Sequence, residues 1–317
     1  MTASAAGQDR DARVERVVQK VKAVYAGWGR DTPVAQMRAD WERLFALDAP
    51  DAVCTEDVVG GVPCTWVAAP GVRRDRVVVY LHGGGFRIGS PRSHRGLMAE
   101  LSETTGVMVL GVGYRRLPEH PYPAALEDAL SVIQALPSRG WAPAQTALAG
   151  DSAGGGLAMA VLMAWAAQGG STPAGVYAMS PWTDLLAQGS SYETRAASDP
   201  LHQRPMMLGL ARQYLDGQAP GPWSSPMGAP PEALATLPPT LVHVGSRETL
   251  LSDAEDFVGK LCAVGVQAQC QVWEGMVHVF QQFGSDLPEA RQSIREGGAF
   301  LARVLGVEPP EQRGVCA

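Results

Sequence analysis

The sequence predicts an α/β fold: a mainly parallel central sheet, flanked by helices and carrying a helical cap. Three observations predict it. Strand-like apolar runs alternate with segments of helical periodicity along most of the chain, which implies parallel strands covered on both faces. Residues 185–238 break that rhythm, with no clear strand and many Pro, Gly and Met, as an inserted lid or cap does. The 317 residues, 46% hydrophobic and 18% charged, supply enough apolar material for one large domain.

The elements follow in order. Val14, Val17, Val18, Val21, Val24 and Tyr25 recur at helical spacing, so residues 10–28 read as a helix. Met37, Trp41, Leu44 and Phe45 repeat the pattern over 33–46, with Thr32 and Pro33 as cap and first turn. "CTWVAAP" (64–70), "RVVVYLHGGG" (76–85) and "GVMVLGVGYR" (106–115) read as strands. A helix follows over 123–136. "TALAGDS" (146–152) is a strand running straight into a helix over 153–167. "AGVYAMSP" (174–181) and "TLVHVGS" (240–246) are strands, the second followed by a helix over 251–264. "VQAQCQVWEG" (266–275) is the last strand, and residues 287–305 form a closing helix. Inside the insertion, "RPMMLGLARQYLDG" (204–217) reads as a helix. The domain reading is therefore cap helices over 1–50, a core over 51–184 and 221–310, a cap insertion over 185–220 and a loose tail over 311–317.

Composition excludes several classes. A formal net charge of -6, with no Lys/Arg-rich run, argues against a nucleic-acid partner. No basic start precedes an apolar stretch at the N-terminus, and no run of about 18 apolar residues exists, so neither a secretory signal nor a membrane span is expected. Cys54, Cys64, Cys262, Cys270 and Cys316 are odd in number and lack CxxC spacing, so no structural metal is expected. Cys54 with Cys64, or Cys262 with Cys270, could pair; free thiols in a cytoplasmic protein are the simpler reading.

The chemistry centres on "GDSAG" (150–154), which matches G-x-S-x-G between a strand and a helix. That setting lifts Ser152 on a sharp turn above the sheet edge. "LHGGGF" (81–86) closes an earlier strand. Its glycines leave backbone N–H groups free to face an oxyanion, so Gly83, Gly84, Gly85 and Ala153 are the candidate donors. A serine hydroxyl needs a base, and the base needs an orienting carboxylate. In this fold type the acid and then the histidine follow the serine. His278, after the last strand, is the candidate base. His243 lies within a strand and reads as structural, and His82 belongs to the glycine loop. His94 and His120 precede the serine, and His202 falls in the insertion. Glu248, nearest the end of "TLVHVGS", is the candidate acid, with Asp253 as the alternative.

Together these pieces resemble the hormone-sensitive-lipase-like branch of the α/β-hydrolases, the bacterial carboxylesterase group. The match runs from about residue 60 onward through "HGGGF", "YRRLPEHPYPAALED" (114–128), "GDSAGG", "SPWTDL" (180–185), "VGSRETLLSD" (244–253) and "MVHVF" (276–280). The resemblance implies an α/β-hydrolase fold, a cap built from the N-terminal helices and the insertion, and hydrolysis of short acyl esters without a cofactor. It leaves a homodimer open. Two segments depart from the family pattern. Glu248 and Ser252 stand where it has D-x-L-x-D, and Arg116 and Leu117 stand where it reads Leu and Ala.

The expected function is a serine hydrolase cleaving short-to-medium acyl carboxylic esters. Trp28, Trp41, Phe86, Trp182, Tyr192, Met206 and Met207 are candidates for an apolar pocket wall. An apolar wall suits an uncharged acyl ester or a lactone. A lactonase, or a natural-product deacetylase or amide hydrolase, would use the same site. A non-enzymatic receptor on this fold, like the gibberellin receptors, would lack the histidine present here as His278.

Overall fold

The computed structural model describes residues 5–45 and 51–308. Eight strands form one sheet in the order β1-β2-β4-β3-β5-β6-β7-β8. They are β1 Val53–Val59, β2 Val62–Ala68, β3 Arg73–Leu81, β4 Val107–Val112, β5 Thr146–Asp151, β6 Val176–Met179, β7 Thr240–Gly245 and β8 Ala268–Trp273. Only β2 runs antiparallel to its neighbours, β1 and β4; β3 through β8 and β4 are mutually parallel. Strand β5 therefore sits in the middle, and its carboxyl end points at the sheet edge where such folds bind ligands.

The strand sequences explain the burial. Val77, Val79 and Leu81 of β3 face one layer and Val78 and Tyr80 the other, and all five are fully buried. Helices α4 (Ala124–Ala135), α5 (Ala153–Ala167) and α9 (Leu251–Ala263) cover the first face. Helices α3 (Arg95–Thr105) and α10 (Pro288–Val304) cover the second. Helix α5 is apolar all round and buried from Ala153 to Ala164, as a helix enclosed by other layers must be.

A third apolar cluster joins the N-terminal helices α1 (Ala5–Ala26) and α2 (Val34–Leu44) to the core. Val14, Val17, Val18 and Val21 of α1 and Met37 and Trp41 of α2 are buried there, with Met276, Phe280 and Phe283. Arg38 fastens α2 further: it donates to the Arg87 carbonyl at 3.0 Å and the Leu117 carbonyl at 2.6 Å, and pairs with Glu119 at 2.7 Å. The insertion holds the short α6 (Ser191–Thr194) and α7 (Arg204–Leu215), and α8 (Pro231–Leu234) precedes β7.

The structure departs from the sequence reading in several places, the short α6 and α8 among them. Helix α2 begins at Val34, not at a Thr32 cap, because the Thr32 hydroxyl accepts the Gly29 N–H at 2.8 Å and closes the preceding turn. Helix α3 and strand β1 were not anticipated. β1 is an edge strand with Val53 and Val58 exposed and charges between them, so its polarity pattern is weak. Its signal was "GG" at 60–61: both glycines have positive φ, 58° and 81°, and join β1 to β2 as a two-residue hairpin turn does.

Among the described residues, no helix is long and apolar enough to cross a membrane. Cys54, Cys64, Cys262 and Cys270 are free thiols, so neither candidate pair is bonded. Cys316 and the expected tail over 311–317 lie outside the described residues.

The turn from β5 to α5 depends on Gly154. A β-carbon there would overlap the carbonyl oxygens of Leu81 and His82 at the end of β3. Gly154→Ala is expected to destabilise the protein by about 3 kcal/mol, through overpacking against backbone. Urea unfolding would read this; an unchanged midpoint would mean that β3 and α5 separate freely.

Candidate active site

Ser152 sits between β5 and α5 with φ 50° and ψ -121°, a conformation that L-residues rarely adopt. The turn lifts its side chain over the sheet edge. Ser152 Oγ lies 2.8 Å from His278 Nε2, and His278 Nδ1 lies 2.7 Å from Glu248 Oε2. Ser152 follows β5, Glu248 follows β7 and His278 follows β8, so parallel strands of one sheet deliver the three side chains to one edge. The other Glu248 oxygen, Oε1, accepts the Ser180 hydroxyl at 2.7 Å and the Gly245 N–H at 2.5 Å. Ser180 Oγ also accepts the Val279 N–H at 3.1 Å. Ser180 thus holds the carboxylate and the histidine segment together. The sequence reading missed that role, although "SPWTDL" begins at this residue.

Asp253 is turned elsewhere. Its Oδ2 accepts the N–H groups of Thr183 and Asp184 at 3.1 and 2.9 Å, which ties the loop after β6 to the first turn of α9. Burial pushes its carboxyl well above the usual carboxylate range, and the neighbouring Asp184 adds to this. Asp253 makes no hydrogen bond to His278. Ser252, the other departure, pairs with Ser191 Oγ at 2.5 Å.

Burial disfavours the charged form of His278, but the charge and hydrogen bond of Glu248 outweigh it. Asp199 and Asp151 act in the same direction, and the pKa lies above the ordinary histidine value of 6.5.

The glycine loop divides its donors. Gly83 N–H is occupied: it donates to Asp151 Oδ1 at 2.9 Å, which removes it from the expected oxyanion donors. Gly84 and Gly85 line the cavity described below. Their N–H groups, and that of Ala153 at the start of α5, donate to no acceptor among the described residues. Gly84 has φ 106°, and a β-carbon on it would overlap the Ile88 carbonyl.

Buried side chains fix this loop from below. Asp151 also accepts the Tyr80 hydroxyl at 2.7 Å and lies 3.2 Å from His94 Nε2. Burial works against its ionisation, yet His94, Tyr80 and His82 hold its carboxyl below the usual value. His82 contacts the Gly83 carbonyl through Nδ1 at 2.8 Å and stacks on Tyr114 at 4.1 Å. Burial, reinforced by His94, keeps its pKa well below 6.5. Arg116 donates to the Gly89 carbonyl and Leu117 N–H to the Phe86 carbonyl at 2.8 Å, so the departing "RRL" segment braces the glycine loop. His243 is buried in β7 with Nδ1 2.8 Å from Ser293 Oγ, a structural position.

A cavity of about 390 Å³ opens over Ser152 and His278. Trp182, Met206 and Met207 line it, as do Trp28 and Trp41 from the N-terminal segment. Phe86 and Tyr192 do not, contrary to expectation. Phe86 has φ 58° and stacks face to face on Tyr214, ring centroids 3.8 Å apart, behind the wall. Tyr192 is buried beside Asp253 and Trp182. Tyr25, Phe45, Leu210 and Phe283 line the cavity without having been named from sequence as wall residues. His202, set aside because it falls in the insertion, lines it too and packs edge-on against His278, ring centroids 4.2 Å apart.

A strained serine between a central strand and a buried helix, hydrogen-bonded to a histidine delivered from the end of β8, defines an α/β-hydrolase. A family profile described as alpha/beta hydrolase fold matches residues 78–282. The chain belongs to this family, in its bacterial hormone-sensitive-lipase-like branch, and is a carboxylic ester hydrolase. It is 40% identical over 280 residues to an acetyl-hydrolase of Streptomyces hygroscopicus, covering 87% of this chain and 92% of that protein. It is 35% identical over 227 residues to an esterase of Acinetobacter venetianus, covering 71% and 74%. Among solved structures, an esterase from the bacterial hormone-sensitive lipase family superposes with a TM-score of 0.88 at 38% identity, covering 96% of this chain and 100% of that one. The esterase EstE5 superposes with a TM-score of 0.86 at 34% identity, covering 93% and 99%.

Proposed function

We propose that the protein hydrolyses short-to-medium acyl esters through an acyl-enzyme formed on Ser152. The observation that carries this reading is the continuous hydrogen-bonded chain from Ser152 through His278 to Glu248 at the floor of an apolar cavity. Ser152 Oγ attacks the ester carbonyl carbon as His278 Nε2 takes its proton. Glu248 holds Nδ1–H and stabilises the imidazolium. The carbonyl oxygen becomes an oxyanion facing the N–H groups of Gly84, Gly85 and Ala153. Each such donor contributes about 2.7–4 kcal/mol to lowering the barrier. His278 then gives its proton to the leaving alcohol, and a water molecule repeats the sequence on the acyl-serine. Every proton and charge is accounted for by these groups and the substrate.

A second reading, removal of an acetyl group from a bulkier natural product, is favoured by the 40% identical relative named an acetyl-hydrolase and by the size of the cavity. A lactone would fit the same chemistry. The free thiols support placing the protein in a reducing, cytoplasmic compartment.

Turnover of a chromogenic ester series, acetyl through dodecanoyl, tests the reading. Activity is expected to peak at short chains. The pH profile of kcat/KM is part of the same test. Neutral His278 is the active form, and its pKa is raised, so activity should be lost as pH falls through a midpoint above 6.5. A folded enzyme with no turnover on any chain length would sink the simple-ester reading. An acid limb with its midpoint well below 6.5 would sink the assignment of His278.

A further inference from the structure

The cap carries a buried carboxylate that the mechanism above does not use. Asp199 is 4% exposed and pairs with no lysine or arginine among the described residues. All its acceptor capacity is spent on two segments. Oδ1 accepts the N–H groups of Leu201 and His202, both at 2.9 Å. Oδ2 accepts the N–H and hydroxyl of Thr249 at 2.8 and 3.0 Å. Thr249 is the residue after Glu248. On the other side of Glu248, the Arg247 carbonyl accepts the Ser198 hydroxyl at 3.1 Å, and Arg247 Nε donates to the Ser198 carbonyl at 3.2 Å. The acid-bearing turn is therefore fastened on both sides to one stretch of the cap. The same carboxylate holds the backbone of His202, whose ring meets His278 edge-on at 4.2 Å and an interplanar angle of 61°.

We propose that Asp199 is a positioning residue for the base. It fixes the turn that carries Glu248 and the His202 ring that abuts His278, and its charge favours the imidazolium that forms on His278 during proton transfer. The inference rests on His278 being the base.

The surrounding charges are consistent with this. His278 is faced by Glu248 from the turn after β7, by Asp151 from the end of β5, and by Asp199 and His202 from the cap. Tyr25 of α1 also feels the charge of Asp199. Burial, with His278 beside it, pushes His202 down to about 3, so that ring is neutral near pH 7 and does not neutralise Asp199. Burial also opposes ionisation of Asp199, but the His202 ring, when protonated in acid, and the N–H groups of Thr249, His202 and Leu201 hold its carboxyl below the usual value. An anion held beside a histidine stabilises the cationic form.

The test is a set of pH–rate profiles for wild type, Asp199→Asn and Asp199→Glu, with Ser152→Ala as a control and thermal unfolding to check the fold. Asn can serve only one of the two pairs of donors and carries no charge. Asp199→Asn is expected to lower kcat about tenfold through misplacement. It should also move the acid limb of kcat/KM to lower pH by about half a unit. Asp199→Glu keeps the charge at altered geometry, so kcat should fall while the limb stays. A merely structural role would lower the melting temperature of both variants and move neither limb. An unmoved limb with kcat within about twofold in Asp199→Asn overturns the proposal. Should Asp199→Asn fail to fold, Thr249→Ala removes one hydrogen bond to Oδ2 and leaves the charge. It is then expected to lower kcat with the limb unmoved, and an unchanged kcat overturns the proposal. Turnover retained in Ser152→Ala would instead remove the reading on which it rests.

Discussion

Ser152→Ala is expected to lower kcat on short acyl esters about 10⁶-fold while the fold survives. The substitution removes a single heavy atom, and among the described residues that atom's one hydrogen bond is to His278. The positive φ of 50° is imposed by the neighbours: Ser152 N–H donates to the Met179 carbonyl at 2.9 Å, and the Ser152 carbonyl accepts the Gly156 and Trp182 N–H groups. Alanine can occupy that position at the same backbone cost as serine. Circular dichroism and the melting temperature should match wild type. Turnover within about a hundredfold of wild type would move the nucleophile to another residue.

The second large effect separates two acidic residues only five positions apart. Glu248→Gln should lower kcat about 10⁴-fold, because an amide in place of the carboxylate no longer stabilises the imidazolium and favours the wrong histidine tautomer. Asp253→Asn should leave kcat within about twofold. Burial holds the Asp253 carboxyl in its neutral form over a wider pH range than an ordinary aspartate, and a neutral acid and an amide present the same acceptor oxygen to Thr183 and Asp184. Measuring kcat for both variants in one buffer decides the matter. The opposite ranking would transfer the acid role to Asp253.

The fold was legible because the strands announce themselves. β3, β4, β5 and β7 are largely apolar runs closed by glycine or serine, and β4, β5 and β7 each feed a segment of helical periodicity. β1 was not legible because an edge strand with one wet face has no such run. The residues that meet at the sheet edge were legible for a related reason: parallel strands deliver their carboxyl ends to one side, and the G-x-S-x-G motif with the serine–acid–histidine order picked Ser152, Glu248 and His278 among them. What surrounds them was not. Whether Gly83 spends its N–H on Asp151 depends on a carboxylate 68 positions away. Phe86 adjoins a motif in sequence yet faces Tyr214, because its positive φ turns the side chain away from the neighbouring glycines. His202 has no periodic or motif signal, and only the path of the chain between β6 and β7 brings it to His278.

The cavity draws its floor and its walls from different parts of the chain. The serine, acid and histidine stand on strand ends between β5 and the segment after β8, whereas Tyr25, Trp28, Met37, Trp41 and Phe45 come from the first 45 residues. That stretch crosses to the core through apolar packing and the Arg38 contacts, and its described residues contribute no strand to the sheet. Exchange of the segment before β1 is therefore expected to change the cavity walls while leaving Ser152, Glu248 and His278 on their strand ends.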